Sequence, residues 1–391
     1  MDIDHPEIIE FTEMRKPTGG DVNRKCLNLH HGINITDKFM VLVEEALNGG
    51  HPSWDLIDPN SGDVVSSVPV RLLWEKIIST RAATGEPYLH FIDTSNDALP
   101  EEQRQLGLKV LQSNLCSEIT LPTSADRTAV CCLSSLNLEH WDEWKDNPDF
   151  IPDVVRFLDN VLQYFIDNAE NMPKAVYSAM RERSIGIGAL GFHALLQRRG
   201  VPFESSLATS LNRQIFKHIK QDAMNGSMVL AEERGSPDDI KNSGRRNAHL
   251  LSIAPNASSS IIASTSPSVE PWKSNAFTQR TLSGSHLVKN KYLEELLERK
   301  GLNTKEVWSS ITTNVGSVQH LKELDDYERD VFKTADEIDQ RWIIEHAGDR
   351  QPYICQSQSI NIFIPQGYDA KSFSILHVLC LLYTSPSPRD S

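Results

Sequence analysis

Asn114-Leu115-Cys116-Ser117-Glu118 sets a thiol two residues from a carboxylate and two from an amide. In an extended segment that spacing turns all three side chains to one side. A neighbouring carboxylate raises a thiol pKa, so the arrangement suits a thiolate nucleophile poorly. No histidine lies close by in sequence to serve as its base, the nearest being His90 and His140. Hydrogen-atom chemistry at sulfur meets no such objection, because it uses the S–H bond and not the anion. On these residues alone a buried structural cysteine remains the blander alternative.

A second candidate is Ala254-Pro255-Asn256-Ala257-Ser258-Ser259-Ser260-Ile261-Ile262. Small hydroxyl residues follow a short apolar run and precede one that could open a helix. Unpaired N–H groups at a helix start, joined by serine hydroxyls, suit a phosphate. A serine-rich loop with an N-cap fits the same residues equally well. Cys131 and Cys132 are adjacent, and no C-x-x-C or zinc-like His/Cys spacing occurs in the chain, so no metal site is expected. Cys26, Cys355 and Cys380 read as ordinary residues. Gly186-Ile187-Gly188-Ala189-Leu190-Gly191 fits G-x-G-x-x-G, but polar Arg181-Glu182-Arg183-Ser184 stands where a strand should precede it. Close packing of helices through small residues is the expectation there.

The elements that must position these groups are partly visible. Val70, Leu73, Trp74, Ile77 and Ile78 recur at helical spacing and predict a helix ending near Gly85. Residues 88–92 read as a strand and 93–96 as its exit loop. Val154, Phe157, Leu158, Val161, Leu162 and Phe165 predict a second helix begun by Pro152-Asp153, and a third covers about 207–233 before Gly235-Ser236-Pro237. Short strand-like runs at 88–92, 250–253 and 360–364 recur between helices, which predicts an α/β fold with a largely parallel sheet.

Composition narrows the partners. In 391 residues, 39% hydrophobic and 24% charged, the chain is that of an ordinary globular protein. A net charge of −14 argues against a nucleic-acid polymer or an anionic membrane as main partner, though a local set of N–H groups can still hold a small anion. No apolar run approaches the ~18 residues of a membrane helix; the best, 375–383, is short and contains His377. The start, Met1-Asp2-Ile3-Asp4-His5, is acidic where a signal peptide is basic. Six cysteines in a chain this long are too sparse for a secreted disulfide scaffold, which points to a reducing, cytoplasmic setting.

Residues 113–119 and Ala129-Val130-Cys131-Cys132-Leu133-Ser134-Ser135-Leu136-Asn137-Leu138 together resemble the large, catalytic subunit of class I ribonucleotide reductase. The resemblance extends through Arg81-Ala82-Ala83-Thr84-Gly85, Ser184-Ile185-Gly186-Ile187-Gly188 and Gly244-Arg245-Arg246-Asn247-Ala248-His249. It continues at 254–260, Val269-Glu270-Pro271 and Gln356-Ser357-Gln358-Ser359-Ile360-Asn361, covering roughly residues 3–378. It implies a ten-stranded α/β barrel with a central finger loop carrying the radical cysteine, present here as a partial barrel.

By that resemblance Cys116 forms the thiyl radical that takes the 3′-hydrogen of a ribonucleoside diphosphate. Glu118 is the base for the 3′-hydroxyl proton, and Asn114 orients the ribose. Cys131 matches one of the two thiols that reduce the 2′ carbon, whereas Cys132 stands where the family usually has another residue. Pro255, Asn256, Ala257, Ser258, Ser259 and Ser260 match the loop that seats the diphosphate. No cofactor or metal binds directly. The radical comes from the metal centre of a small subunit, electrons from thioredoxin or glutaredoxin, and ATP or deoxynucleotide effectors regulate the full-length homodimer. The chain departs from the family at both ends. Upstream, the partner redox cysteine and the effector sites are expected before Met1. Downstream, two adjacent tyrosines are expected where Leu379-Cys380-Leu381-Leu382-Tyr383 stands before a Ser/Pro run. The expectation is therefore a partial catalytic domain over 1–378, a non-matching artefactual tail over 379–391, and no activity of the fragment alone. A non-catalytic relative acting as a regulatory partner is the alternative, and joint retention of Asn114, Cys116 and Glu118 argues against it.

Overall fold

The computed structural model describes residues 1–281, 284–365 and 367–384. Two compact units divide it, Met1–Ala129 with the segment from Gly367 onward, and Val130–Gln366.

The first unit contains strands β1 (Gly32–Ile35), β2 (Ser53–Ile57), β3 (Val64–Pro69) and β4 (Tyr88–Phe91). β1 and β4 pair in parallel, with Asn34 opposite His90. β2 and β3 form an antiparallel hairpin. Its turn is built on Asp58, whose carboxylate accepts the N–H groups of Asn60 and Ser61 at 2.7 and 3.0 Å. The expected helix runs over Val70–Thr84 and buries Val70, Leu73, Trp74, Ile77 and Ile78. It stops at Gly85, which takes φ +77° and returns its N–H to Arg81. The helix Ala370–Thr384 is bonded to it. Trp74 Nε1 donates to Ser374 Oγ at 2.7 Å, and Arg81 Nε donates to His377 Nε2 at 3.0 Å. Burial, helped by the Arg81 charge, pushes His377 down to about 3, so its ring stays neutral and can accept that bond.

The exit loop expected at 93–96 is instead part of a helix, Ile92–Asp97. Ser95 Oγ and Asn96 Nδ2 donate to the carbonyls of Phe91 and Ile92, four residues back, which steadies a turn that composition alone marks as loop.

In the second unit β5 (Leu133–Asn137) pairs in parallel with β6 (Gly186–Leu190). The ladder then steps to Leu251 through a bridge from Ile187, and from Ile253 to Gln358. Four segments thus lie in parallel succession. The fourth is the polar 356–359 and not the apolar 360–364 suggested by hydropathy. Buried side-chain amides make this possible, with Gln356 Nε2 donating to Ile185 O and Gln358 Nε2 to Ala347 O, both at 3.0 Å. Gly186 and Gly188 lie inside β6, which corrects the expectation of helix packing. A Cβ on Gly186 would fall 2.2 Å from Leu133 Cδ2 and 2.9 Å from Ser252 Cβ, so the neighbouring strands close over the glycines.

Behind this ladder the helices Phe150–Asn168 and Ser206–Arg234 pack so closely that a Cβ on Gly226 would meet Pro152 Cα at 2.9 Å. Val155, Leu158 and Leu162 share a core there with Leu211, Ile215 and Ile219. A smaller core of Leu293, Leu297, Trp308, Ile311 and Leu324 accompanies the antiparallel pair β7 (Ala276–Thr281) and β8 (Gly284–Lys289). Among the described residues the fold is mixed α/β, with two parallel and two antiparallel strand pairs, in place of one largely parallel sheet. Leu379–Thr384 continue the last helix, with Leu382 and Tyr383 exposed, and the rest of the expected tail, 385–391, lies outside the described residues. Among the described residues no helix is long and apolar enough to cross a membrane.

Candidate active site

Asn114, Cys116 and Glu118 belong to the first unit, and Cys131 and residues 255–260 to the second. The first group is not extended, so strand alternation does not describe it. Ser117 N–H bonds to Asn114 O at 3.0 Å, closing a turn in which Ser117 takes φ +65°. Asn114 Oδ1 accepts the N–H of Ile119 at 3.1 Å. One tight turn therefore holds amide, thiol and carboxylate. Glu118 is buried and Cys116 half-buried. Burial first, and the Glu118 charge second, raise the Cys116 thiol above its ordinary pKa. At neutral pH it keeps its S–H bond, the form that hydrogen-atom chemistry uses.

Residues that the sequence does not single out fix this turn. On the exit side Ile119 and Leu121 are buried. On the entry side Asn96 brackets Val110, accepting its N–H at 2.9 Å and donating to its carbonyl at 3.0 Å. Asn34, on β1, donates to Leu111 O at 2.8 Å, and His90, opposite it on β4, lies 3.0 Å from Asn34 Oδ1. Burial, and then the N-terminal charge, push His90 down to about 4, so it meets Asn34 as a neutral ring. Of this pair, the sequence offers only His90 on the strand read at 88–92, and its partner Asn34 emerges from the register of β1 and β4.

In the second unit Cys131 is exposed just before β5, while Cys132 is buried and donates to Leu158 O at 3.6 Å. Burial, with the Cys131 charge next, pushes Cys132 up to about 11. Of this adjacent pair, Cys131 is the one presented for exchange chemistry. The loop expected to hold a phosphate leaves the ladder after Ile253 and enters a short helix, Ala257–Ile262. Its hydroxyls divide. Ser258 and Ser259 are exposed, whereas Ser260 is buried and donates to Ala257 O at 2.9 Å. Asn256 takes φ +51° and turns its amide inward, onto Ser135 of β5 and the carbonyl of Ala189 of β6.

The glycine segment makes no dinucleotide turn, because its first two glycines lie within the strand and not after it. Among the described residues no group of three or more His, Cys, Asp or Glu side chains is placed to hold a metal ion.

A mixed α/β fold with a turn-borne thiol and carboxylate, and a parallel ladder that delivers a hydroxyl-rich loop, describes the class. Comparison with known proteins makes it specific. The family model described as the ribonucleotide reductase barrel domain matches residues 1–239 and 236–381, and the chain belongs to that family. A Frog virus 3 (isolate Goorha) protein bearing the name ribonucleoside-diphosphate reductase large subunit is 52% identical over 383 residues, covering 97% of this chain and 66% of the relative. The large subunit of Invertebrate iridescent virus 3 is 45% identical over 417 residues, covering 93% of this chain and 66% of its own length. Among solved structures, the Actinobacillus ureae class Id ribonucleotide reductase alpha subunit superposes with a TM-score of 0.86 at 38% identity, covering 98% of this chain and 68% of that one. The chain spans just under two thirds of the length of these viral relatives.

Proposed function

We propose that this chain carries the substrate-reducing part of a ribonucleoside-diphosphate reductase large subunit. In this reading a Cys116 thiyl removes the 3′-hydrogen, Glu118 takes the 3′-hydroxyl proton, and Asn114 holds the ribose in place. Cys131 supplies one of the two reducing thiols, and the 255–260 loop seats the diphosphate. The reading brings with it a radical-generating small subunit, a second large subunit, a thioredoxin-type reductant, nucleotide effectors and a cytoplasmic setting.

The observation that carries it is the Asn114–Glu118 turn, which keeps a protonated thiol beside a buried carboxylate within a family-matched segment. A nucleophilic enzyme gains nothing from that pairing, whereas a radical enzyme uses the S–H bond and directs the acid to substrate. Calorimetric titration of the chain with cytidine diphosphate and with NAD tests the substrate class. Binding of the first alone is expected. Ser259→Asp should weaken it sharply, because a carboxylate would face the phosphate. Equal affinity of parent and variant would remove the loop from the site.

A further inference from the structure

We propose that Asn256 is a positioning residue, not a ligand of the diphosphate, and that it sets the 255–260 loop by tying it to β5 and β6. This rests on the diphosphate reading of that loop given above.

Asn256 has left-handed backbone angles, φ +51° and ψ +32°, a region that asparagine tolerates better than most residues. Its side chain makes no capping bond to the helix that follows. It points the other way. Nδ2 lies 2.9 Å from Ser135 Oγ, 3.1 Å from Ala189 O and 3.2 Å from Ala254 O. Oδ1 lies 3.2 Å from the same Ser135 hydroxyl. One amide therefore touches two neighbouring strands and the residue before Pro255. A primary amide has two N–H donors, and three internal acceptors already share them, so little remains to offer an anion outside.

The space for this tie is made by a glycine. A Cβ on Gly188 would lie 3.0 Å from Ser135 Oγ and 2.7 Å from Ser252 O, so a side chain there would displace the serine that Asn256 holds. The loop's own backbone then builds on Asn256, whose carbonyl accepts Ser260 N–H at 3.0 Å. Ser260 is used internally as well, which leaves the exposed Ser258 and Ser259 as the hydroxyls turned outward. Because β5 begins at Leu133, two residues after Cys131, the tie also holds the loop on the strand that follows that thiol.

The test is titration of the whole chain with inorganic pyrophosphate and with cytidine diphosphate, using Asn256→Gly, Ser135→Ala, the double variant and Ser135→Thr. Glycine keeps the left-handed backbone accessible as it removes the amide, and Ser135→Ala breaks the same tie without freeing the loop backbone. Each of Asn256→Gly and Ser135→Ala should weaken both ligands by about tenfold, the scale of a lost buried hydrogen bond. The double variant should be no weaker than about the worse single, because both changes break one tie. Ser135→Thr, which restores the hydroxyl, should return affinity to within about twofold of the parent. Multiplying losses in the double variant would make Asn256 a direct ligand and overturn the proposal, as would unchanged affinity in Asn256→Gly. Should that variant not fold, the proposal stands or falls on the loss in Ser135→Ala and its rescue in Ser135→Thr. If the parent chain binds neither ligand, the diphosphate reading fails and this inference with it. If the parent binds and the variants bind equally, only the positioning role fails.

Discussion

Replacing Asp159 by alanine should cost the second unit about 3–5 kcal/mol, the scale for removing one partner from a buried ion pair. Asp159 is fully buried on the helix Phe150–Asn168 and faces three guanidinium groups. Arg183 Nε and Arg234 Nη1 each reach it at 2.7 Å, and Arg246 Nε lies at 3.4 Å. Arg234, with its side chain 30% exposed, can turn to water once the carboxylate is gone. Arg183, only 4% exposed, cannot, and its desolvated charge sets the size of the loss. At roughly 2–4 °C per kcal/mol for a unit of this size, melting should fall by about 6–20 °C. Burial alone would raise the Asp159 pKa, but the three arginines, Arg183 foremost, hold it below the usual carboxylate range. Its contribution is therefore complete above about pH 4 and is lost as pH falls through the lowered folded value. Thermal melts of parent and variant at pH 7 and pH 3 read both effects. A loss under about 1 kcal/mol at pH 7 would refute the argument, because it would mean that Arg183 finds water or another acceptor.

Two further changes separate chemistry from packing. Burial pushes the Glu270 carboxyl up to about 7, although Asn361 donates to it from both N–H and Nδ2. A raised carboxyl pKa gives stability that is full below about pH 4 and is lost as pH rises through 7, so Glu270→Gln should flatten that slope and gain on the order of 2–4 kcal/mol over the parent at pH 8. Melts from pH 5 to 8 check this, and parallel curves for the two proteins would count against it. In alkylation at pH 7.5 followed by mass spectrometry, exposed Cys26 and Cys131 should react first, and Cys132, buried and raised to about 11, should resist until unfolding. Early labelling of Cys132 would contradict its burial against Leu158.

The helices were the most legible part of the chain. Val70, Leu73, Trp74, Ile77 and Ile78 announce Val70–Thr84 almost to the residue, because one buried face leaves a period that hydropathy can read. The run 206–234 likewise ends at the glycine expected to end it. The polar strand segment at 356–359 was not legible, since Gln356 and Gln358 are buried by amide bonds to Ile185 and Ala347, partners that no local pattern reveals. Nor was the strand over Gly186–Leu190, where glycine serves close approach of Leu133 and Ser252 and not flexibility. At the candidate site the residue types at 114, 116 and 118 and their family resemblance were visible. Their geometry was not, because the left-handed Ser117 folds into a turn what spacing suggested was extended. The division of the 255–260 loop into inward and outward groups was hidden for the same reason. The partner of Asn256 is Ser135, 121 positions away.

The claim that Cys116 carries the radical thiol is tested most directly by deoxynucleotide formation in a full-length setting. Residues 1–378 would replace the matching segment of the Frog virus 3 relative, and the chimera would be assayed with cytidine diphosphate, a class I small subunit and a thiol reductant. The parent chimera should form deoxycytidine diphosphate. Its Cys116→Ser form should form none while binding the nucleotide with unchanged affinity, because the O–H bond is too strong for the hydrogen transfer that the S–H bond permits. Product from the Cys116→Ser chimera at a rate near that of the parent would contradict the assignment.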